Sequence, residues 1–584
     1  MLNTAGSTSQ EPDPQAWYSR PWFWMALTGL VACWLLATSC RSQSRHRVQR
    51  NDVLRAANVE EGFDSAILQL NDIENNTSPV ALQQIVERVN QWLQLNIPSG
   101  AWQPDPLLAD LPESLHSCGA VKVMDAKTMQ PDLDKFFFHE IILLKHVANV
   151  SRGEENDPLR IALGLFEWTA RGIQADRAIP EVRIRRPLDA LLLGHADADI
   201  RAWVFMLLAR QQGLNVVQLA LGDPAEPETL RPWAQALLYN GQLYLFDMRI
   251  GLPIEGPEGR PLATLTEVAA DDSLLRRYDI DEELPYPVSA ADLQTVTAWM
   301  EGSPGYLSRR MQIIESRLAG DQKMILTVAP TALAQQLLSC PQIVAASLWP
   351  VPYETTTVAF RQLRPEETKG IEAFRELGKE YDLFNEEPAL AKGRALQLKG
   401  VFATLDDTRY EPSASRLFQA ARYEGLNLRA LAEQRTFVDV EQLKKSGKQA
   451  GQHFNPNHMR DEHQDRLARV REYASYWLGL VALQRGQQDA AEDYLLIRTM
   501  RAYPDGQWFE GARYNLARLY AEQGKEKQAI ALFERDTSAQ RHGSLLRAKW
   551  LKDAASAVNP DTPNAPPPAG PKEDDGEQAE APST

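Results

Sequence analysis

The stretch covering residues 194–247 constrains the fold more than any other part of the chain. Its first part places apolar residues at the spacing of one buried helical stripe: Ile200, Trp203, Val204, Leu207 and Leu208. Gly213 stands where such a helix would end. The apolar run 214–221 predicts a strand, and Asn240-Gly241 between two alternating runs predicts a hairpin. The stretch therefore predicts a helix, a strand and a hairpin in that order.

The composition excludes several classes of protein. A chain of 584 residues is long enough for several domains, and its net charge of −16 argues against general affinity for nucleic acid. Phosphate-loop patterns of the GxGxxG and GxxxxGK[ST] types are absent from the sequence, so we expect no nucleotide cofactor. His139-Glu140 is followed by a His only at position 146, which does not fit the HExxH pattern of a zinc site. With four Cys, a disulfide framework is excluded and no metal site is expected.

The order helix, strand and hairpin resembles the core of the transglutaminase-like superfamily. In that family a Cys starts the helix, a small residue follows four positions later, an Arg lies near the helix end and a Gly precedes the strand. Ala202, Arg210 and Gly213 match these positions, and Asp247 matches the Asp that closes the strand pair. The resemblance covers about residues 135–260 and implies a helix packed on an antiparallel sheet.

Two positions depart from the family pattern, because its Cys falls on Ala198 and its His falls on Pro232. A thiol–imidazole mechanism needs both groups, since the thiolate is the nucleophile and the base has to reach it. The sequence has no Cys between positions 118 and 340 and no His between 195 and 453, so a shifted alignment does not restore the pair. We therefore predict that the family's catalysis is absent and that Asp247 accepts hydrogen bonds in a turn.

The N-terminal segment 22–39 is apolar, carries no charge and is just long enough to span a bilayer. Residues 35–40 (LLATSC) resemble a bacterial lipoprotein signal in which Cys40 would be lipidated, although Leu is more common where Ala37 stands. The alternative is an uncleaved span, for which the arginines at 41, 45, 47 and 50 would keep the body in the cytoplasm. We favour the lipoprotein signal slightly, which places the body on the exported, periplasmic face.

The rest of the chain divides by composition. Residues 1–21 and the acidic, Pro-rich tail 558–584 are predicted to be disordered. The remaining regions are a helical lead-in and loop at 51–130, the transglutaminase-like domain at 131–300, a small α+β extension at 301–364, and helices at 365–557. The extension either continues the preceding domain or forms its own module.

Local patterns predict several further elements. Short strands are expected at 120–124, 324–328, 343–348 and 355–360, and short helices at 262–268, 293–300, 308–318 and 331–338. Arg183, Arg185 and Arg186 form a basic cluster that we expect in a solvated loop. The alternative for this cluster is a site for an anionic ligand or partner.

The helical region contains an internal repeat within residues 472–540. Leu478, Gly479, Ala482, Gly486 and Ala491 recur 38 residues later as Leu516, Ala517, Tyr520, Gly524 and Ala529, with Phe533 as a further position of the pattern. The pattern resembles the tetratricopeptide repeat, a helix-turn-helix unit of 34 residues. The small residues let two helices pack closely and the large ones fill the space between them. The resemblance implies a concave surface for protein partners.

These features predict a multidomain α+β protein. A transglutaminase-like domain with a helix on an antiparallel sheet would be followed by a domain of tetratricopeptide-like helical repeats, behind an N-terminal membrane anchor. The expected function is that of a membrane-anchored, non-catalytic adaptor or scaffold that binds protein partners. The alternative is a hydrolase or peptidase-like enzyme with a non-Cys nucleophile in the same cleft, for which the polar candidates are Asp197, Asp199, Arg201 and Asp247. A structural subunit of an envelope assembly is a third possibility.

Overall fold

The computed structural model describes nine stretches of the chain: residues 55–70, 79–98, 100–116, 118–177, 185–362, 372–403, 412–422, 428–445 and 456–558. The predicted anchor at 22–40 with Cys40, the residue Arg183 and the tail from 559 onward lie outside the described residues. Every helix within the described residues is too short or too polar to cross a bilayer.

The first of two compact units ends at Pro98 and contains the helices α1, at 55–70, and α2, Pro79–Asn96. The Phe63 ring stacks on the Trp92 indole with 4.2 Å between ring centroids, and Trp92 Nε1 donates a hydrogen bond to Glu60. The buried residues recur at helical spacing: Phe63, Ile67, Leu70, Ile85, Val89 and Leu93. The predicted helical lead-in is therefore confirmed as two helices.

The second unit, Ser99–Thr584, combines helices with strands. Its strands are β1 Gln174–Ala175, β2 His195–Ala196, β3 Asn215–Leu221, β4 Arg231–Tyr239, β5 Gln242–Asp247, β6 Leu252–Pro253, β7 Val296–Met300 and β8 Ile343–Leu348. The helices interspersed with these strands are α3 Glu113–His116, α4 Gly119–Lys122, α5 Pro131–Arg152, α6 Pro158–Gly172, α7 Pro187–Leu193, α8 Ala198–Gln211, α9 Leu265–Ala270, α10 Ser273–Arg276, α11 Arg309–Arg317, α12 Pro330–Leu337 and α13 Val351–Gln362.

The predicted order of helix, strand and hairpin is confirmed. The Asp197 carboxylate caps α8 by accepting a hydrogen bond from the Ile200 N–H at 3.0 Å. Every residue from 200 to 209 is buried, so α8 is covered on all sides instead of along one stripe. Asn240 and Gly241 have φ values of 51° and 71°, the left-handed region that this turn requires and that Asn and Gly adopt at least cost.

Six strands form one sheet in the order β6-β5-β4-β3-β7-β8. The pairs from β6 to β7 are antiparallel, but β8 runs parallel to β7. The expectation of a purely antiparallel sheet is therefore wrong for this last pair, and the sheet is mixed. Because β8 comes from the 301–364 segment, that segment continues the sheet of the preceding region.

Four short predicted elements differ in the structure. The stretch 120–124 overlaps helix α4, 324–328 is an irregular connection, and 293–300 divides into the 3₁₀ helix Ala290–Gln294 and strand β7. The β-branched run 355–360 lies inside helix α13, where the Thr356 and Thr357 hydroxyls donate to carbonyls four residues earlier. These bonds satisfy the hydroxyls within the helix, and tertiary packing outweighs the strand preference of Thr.

The other short predictions agree with the structure. Strand β8 occupies the predicted 343–348, helix α11 lies within 308–318, and helix α12 covers 330–337. Helix α9 lies slightly later than the predicted 262–268 because Thr264 forms its N-terminal cap, with its hydroxyl accepting from the Glu267 N–H.

The region after residue 372 is helical, as predicted. Its helices are α14 Glu372–Glu386, α15 Pro388–Leu398, α16 Ala414–Arg422, α17 Leu428–Lys445, α18 Pro456–Gln484, α19 Gln488–Glu492 continuing as a π-helix over Asp493–Arg501, α20 Phe509–Glu522, α21 Glu526–Glu534 and α22 Arg541–Val558. One buried cluster joins these helices through the aromatic rings of Phe418, Tyr473, Trp477 and Trp508. Helix α22 returns to the α/β part, where a Cβ added to Gly543 would lie 1.8 Å from the Ile250 carbonyl oxygen.

Candidate functional site

Ala198 and Pro232, the two departures from the transglutaminase pattern, lie at element starts. Ala198 is the first residue of α8, and Pro232 is the second residue of β4, paired with Ala220 near the end of β3. Asp247 ends β5, which runs antiparallel to β4, so Pro232 and Asp247 belong to the same end of the hairpin. A methyl group and a pyrrolidine ring cannot attack or move a proton, so these positions supply no thiol–imidazole chemistry.

Asp247 accepts hydrogen bonds in a turn, as predicted. It is buried, and its two oxygens accept from the Arg249 N–H at 2.9 Å and from the Tyr286 hydroxyl at 2.7 Å. Trp233 Nε1 in turn donates to the Tyr286 oxygen at 2.8 Å. Burial raises the pKa of Asp247, and the Arg249 charge and the hydrogen bonds only partly offset it.

The other polar candidates near α8 also have structural roles. Asp197 caps the helix, and Arg201 is buried and donates to the Ala170 carbonyl at 3.0 Å. Burial lowers the pKa of Arg201 to about 10. Arg210 forms an ion pair with Glu301 and lies over the Tyr306 ring, 4.2 Å from its centroid. Among the described residues, no group of three or more His, Cys, Asp or Glu side chains is arranged to hold a metal ion.

The basic cluster is not a solvated loop at the two positions that the structure describes, so that prediction is wrong for Arg185 and Arg186. Arg186 binds the buried Asp189 carboxylate, with 3.1 Å between Nη2 and Oδ1. Arg185 reaches Glu380 of α14 at 3.1 Å. The Arg186 pair is local, since Asp189 follows three residues later, whereas the Arg185 pair forms because the distant helix α14 packs against this loop.

His195 is the centre of a buried polar cluster that the sequence did not reveal. Its Nδ1 lies 2.6 Å from Asp176 Oδ2, and its Nε2 lies 3.2 Å from Glu380 Oε2 and 2.8 Å from the Gln507 side-chain amide. The Trp508 indole contacts the imidazole edge-on at 5.7 Å. The cluster therefore joins the α/β part to helix α14 and to the loop before α20.

The charges around His195 determine its protonation. Burial alone would lower the pKa of His195, but the Asp176 and Glu380 carboxylates outweigh it and raise the pKa above its ordinary value, against a smaller opposing effect of Arg185. When His195 is protonated, its two N–H groups donate to the two carboxylates. The one local signal for this cluster was a His placed three residues before a predicted central helix. The partners of His195 come from positions 176, 380 and 507, and local patterns cannot show that these positions lie together.

We expect the protein to lose stability as the pH rises from about 6.5 through the raised pKa of His195. A raised folded-state pKa contributes stability that is complete below the unfolded value and is lost above the folded one. Asp176 and Glu380 have lowered pKa values, so their contribution is lost only at acidic pH. The His195→Gln variant should not show this decrease in stability with rising pH, as measured by the unfolding temperature between pH 6 and 9. His458→Gln, at an exposed His, should keep the wild-type profile; parallel profiles for all three proteins would contradict this expectation.

The repeat positions of the helical region are buried or lie in turns. Leu478, Leu516, Ala529 and Phe533 are at most 3 % exposed. Gly486 and Gly524 have φ values of 68° and 70°, so the two equivalent helix pairs turn in the same left-handed conformation. The remaining positions are also buried: Gly479, Ala491 and Tyr520. A Cβ added to Gly479 would lie 2.7 Å from the Leu495 side chain, so the helices approach closely there.

A groove of about 230 Å³ lies where α6 meets the helical region; we call it the junction groove. Its walls come from α6, α15, α18 and α20 and include Trp168, Gln397, Leu480, Leu483, Gln484 and Arg394. Helix α6 is tied to α20 by the Arg171–Glu522 ion pair at 2.7 Å and by the Arg518–Glu167 pair. The groove is therefore a preformed feature of the second unit.

Arg394 is the unusual residue of this groove. It is 1 % exposed, donates to the Leu191 carbonyl and to Gln397 Oε1, both at 2.9 Å, and lies 5.1 Å from the Trp477 ring centroid. Burial lowers its pKa to about 10, and none of the described residues places a carboxylate in an ion pair with it. Its Nη2 has no hydrogen-bond partner among the described residues. A buried guanidinium without a counter-charge is costly to folding.

Comparisons of the chain with protein-family models, with curated proteins and with solved structures found no match.

Proposed function

We propose that the protein is a non-catalytic adaptor that binds a segment of a partner protein in the junction groove. The observation that carries the proposal is Arg394, a residue of the groove wall that is buried and has no carboxylate partner among the described residues. A carboxylate from a bound segment, whether an Asp or Glu side chain or a chain terminus, would supply the missing charge. The proposed ligand is therefore an acidic protein segment.

The rest of the groove suits a polypeptide. Side-chain amides line it at Gln397, Gln484, Gln488 and Asn515. Each amide group can donate to a backbone carbonyl and accept from a backbone N–H, which are the groups that an extended segment presents. Trp168 and several leucines supply apolar surface for the side chains of the segment.

The absence of a thiol and an imidazole at Ala198 and Pro232 supports binding over catalysis. Asp197, Arg201 and Asp247 support it as well, because each is engaged in capping or in a buried hydrogen bond. We further propose that the predicted segment 22–40, with Cys40 as the lipidation candidate, anchors the adaptor at the membrane; this part of the proposal rests on the sequence. The alternative, hydrolysis by a non-Cys nucleophile, is an outcome of the experiment below.

Selection of random peptides displayed on phage is expected to enrich segments with an acidic residue or free C-terminus at one constant position. Arg394→Met should weaken the enriched peptides by about tenfold or more, measured by fluorescence anisotropy. Met removes the buried charge at similar volume but leaves the Leu191 carbonyl and the Gln397 side chain without their donor. A thermal unfolding curve of the variant should therefore accompany the binding measurement.

The control is Arg429→Met, at an exposed arginine, which should bind like the wild type. Peptide affinity unchanged by Arg394→Met would contradict the proposal. So would a failure to enrich any peptide together with turnover of amide or ester substrates by the purified chain.

A further inference from the structure

A second cavity, separate from the junction groove, lies beside helix α5. It measures about 350 Å³ and is bounded by α5, α7, α8, the turn at 303–305 and α13. Its wall is largely apolar and aromatic, with Phe136, Phe137, Leu188, Trp203 and Pro304, and it includes the carboxyl group of Glu140. We call it the Glu140 cavity. The lining also includes Asp132, Asp134, Arg186 and Arg310. A cavity of this size that combines apolar surface with a few polar groups has the character of a small-molecule site.

Glu140 is held in place by one backbone bond. Its Oε2 accepts from the Leu188 N–H at 2.9 Å, near the start of α7. Within the described part of the chain, its Oε1 has no hydrogen-bond partner and the carboxyl group forms no ion pair. The carboxyl group is thus fixed on the cavity wall with one oxygen left for a ligand.

The other carboxylates in and near the cavity each lie beside a cation, including the exposed Asp132 of the wall, which is 3.7 Å from Lys135. Asp134 binds Arg310 at 2.6 Å, Asp189 binds Arg186 at 3.1 Å, and Glu301 binds Arg210. Among the described residues of the cavity wall, Glu140 is the carboxyl group that forms no ion pair, although the Arg186 charge still acts on it. Burial raises its pKa to about 8, with smaller contributions from Glu301 and Asp189 and an opposing one from Arg186, so at pH 7 it holds its proton.

The aromatic wall already attracts cations. The Arg186 guanidinium and the Lys135 ammonium each lie 4.8 Å from the Phe136 ring centroid. Phe137 and Trp203 line the cavity as well, and their rings would favour a positive group next to Glu140. The Glu140 carboxyl group and the aromatic rings of the cavity wall therefore both favour a ligand with a cationic head and an apolar body.

We propose that the Glu140 cavity binds a small organic amine, with the protonated amine paired to the Glu140 carboxylate and the apolar body against Phe137 and Leu188. The ammonium group keeps its proton. The proton that leaves Glu140 on binding goes to solvent. Binding at pH 7 therefore releases close to one proton for each amine bound.

Titration calorimetry of the full chain at pH 7 tests this with three probes of similar size: 2-phenylethylamine, 2-phenylethanol and phenylacetate. The amine should bind about tenfold or more tighter than the alcohol, and phenylacetate weakest. Repeating the titration in buffers of different ionisation enthalpy should show the released proton. Glu140→Gln, which keeps the shape and the acceptor for Leu188, should lose about tenfold in amine affinity and release no proton.

Glu354→Gln is the matched control, since it removes an exposed carboxylate from the helix that carries Thr356 of the cavity wall. It should leave amine binding unchanged, and so should Arg394→Met, which separates this site from the junction groove. The proposal would be overturned if the amine and the alcohol bound equally well or if phenylacetate bound more tightly than the amine. It would also be overturned if Glu140→Gln did not change amine affinity, or if the amine did not bind at millimolar concentration.

Discussion

Asp134→Ala is expected to destabilise the protein by about 3–5 kcal/mol, because it leaves the Arg310 guanidinium buried without a counter-charge. Asp134 and Arg310 are 1 % and 2 % exposed, and two parallel hydrogen bonds of 2.7 and 2.6 Å join them. Arg310 also donates to the Val123 carbonyl at 2.7 Å, so the pair ties α5, α11 and the segment after α4 together. Urea unfolding followed by circular dichroism would measure the loss.

Asp132→Ala is the matched control for this change. Asp132 lies on the same helix two residues earlier, but its carboxylate is exposed and 3.7 Å from Lys135. An exposed pair of this kind contributes about 0–1 kcal/mol. The double variant Asp134→Ala/Arg310→Met should recover part of the loss, because no unpaired charge is then buried. Equal destabilisation by Asp132→Ala and Asp134→Ala would contradict the expected role of burial.

Trp508→Ala is expected to cost about 3–5 kcal/mol, because it empties the space where the helical region meets His195. The Trp508 indole is fully buried, stacks on the Tyr476 ring at 4.5 Å with 12° between planes, and meets Tyr473 edge-on at 5.0 Å. Thermal unfolding monitored by near-ultraviolet circular dichroism would report both the stability and the loss of aromatic packing.

Phe437→Ala provides the comparison for Trp508, since the Phe437 side chain is 68 % exposed and its removal should change stability by less than about 0.5 kcal/mol. The loss of stability in Trp508→Phe should lie between those of Trp508→Ala and Phe437→Ala, because Phe retains a ring and leaves a smaller cavity. A Trp508→Ala protein that unfolds at the wild-type temperature would show that this contact does not hold the helical region in place.

Short-range patterns determined the helix, strand and hairpin at 194–247 correctly, because each of their signals lies within a few residues of its effect. The Asp197 cap, Gly213 and the Asn240-Gly241 turn all act locally. The strand prediction for 355–360 was wrong because tertiary packing outweighed the local preference there. The strand preference of this run is a weak local one, and packing placed it in helix α13.

The charged groups of the candidate sites could not be predicted in the same way. Glu140, Arg185 and Arg394 each look like ordinary surface residues in the sequence. In the structure Arg394 is buried, and Glu140 and Arg185 are half-buried. The His195 cluster shows the reason most clearly, since its contacts join residues up to 312 positions apart. Whether a carboxylate meets an arginine, and whether water reaches it, depends on which distant segments pack together.

The sequence by itself determined the local elements, the repeated glycine turns of the helical region, and the presence of Ala198 and Pro232, which carry neither a thiol nor an imidazole. These follow from side-chain identity and from backbone preferences over a few residues. The tertiary structure alone decided that β8 runs parallel to β7, that His195 is held between two carboxylates, and that Arg394 is buried and Glu140 half-buried without an ion pair to any described residue. Pairing and desolvation are properties of contacts between remote parts of the chain, and only the folded protein creates them.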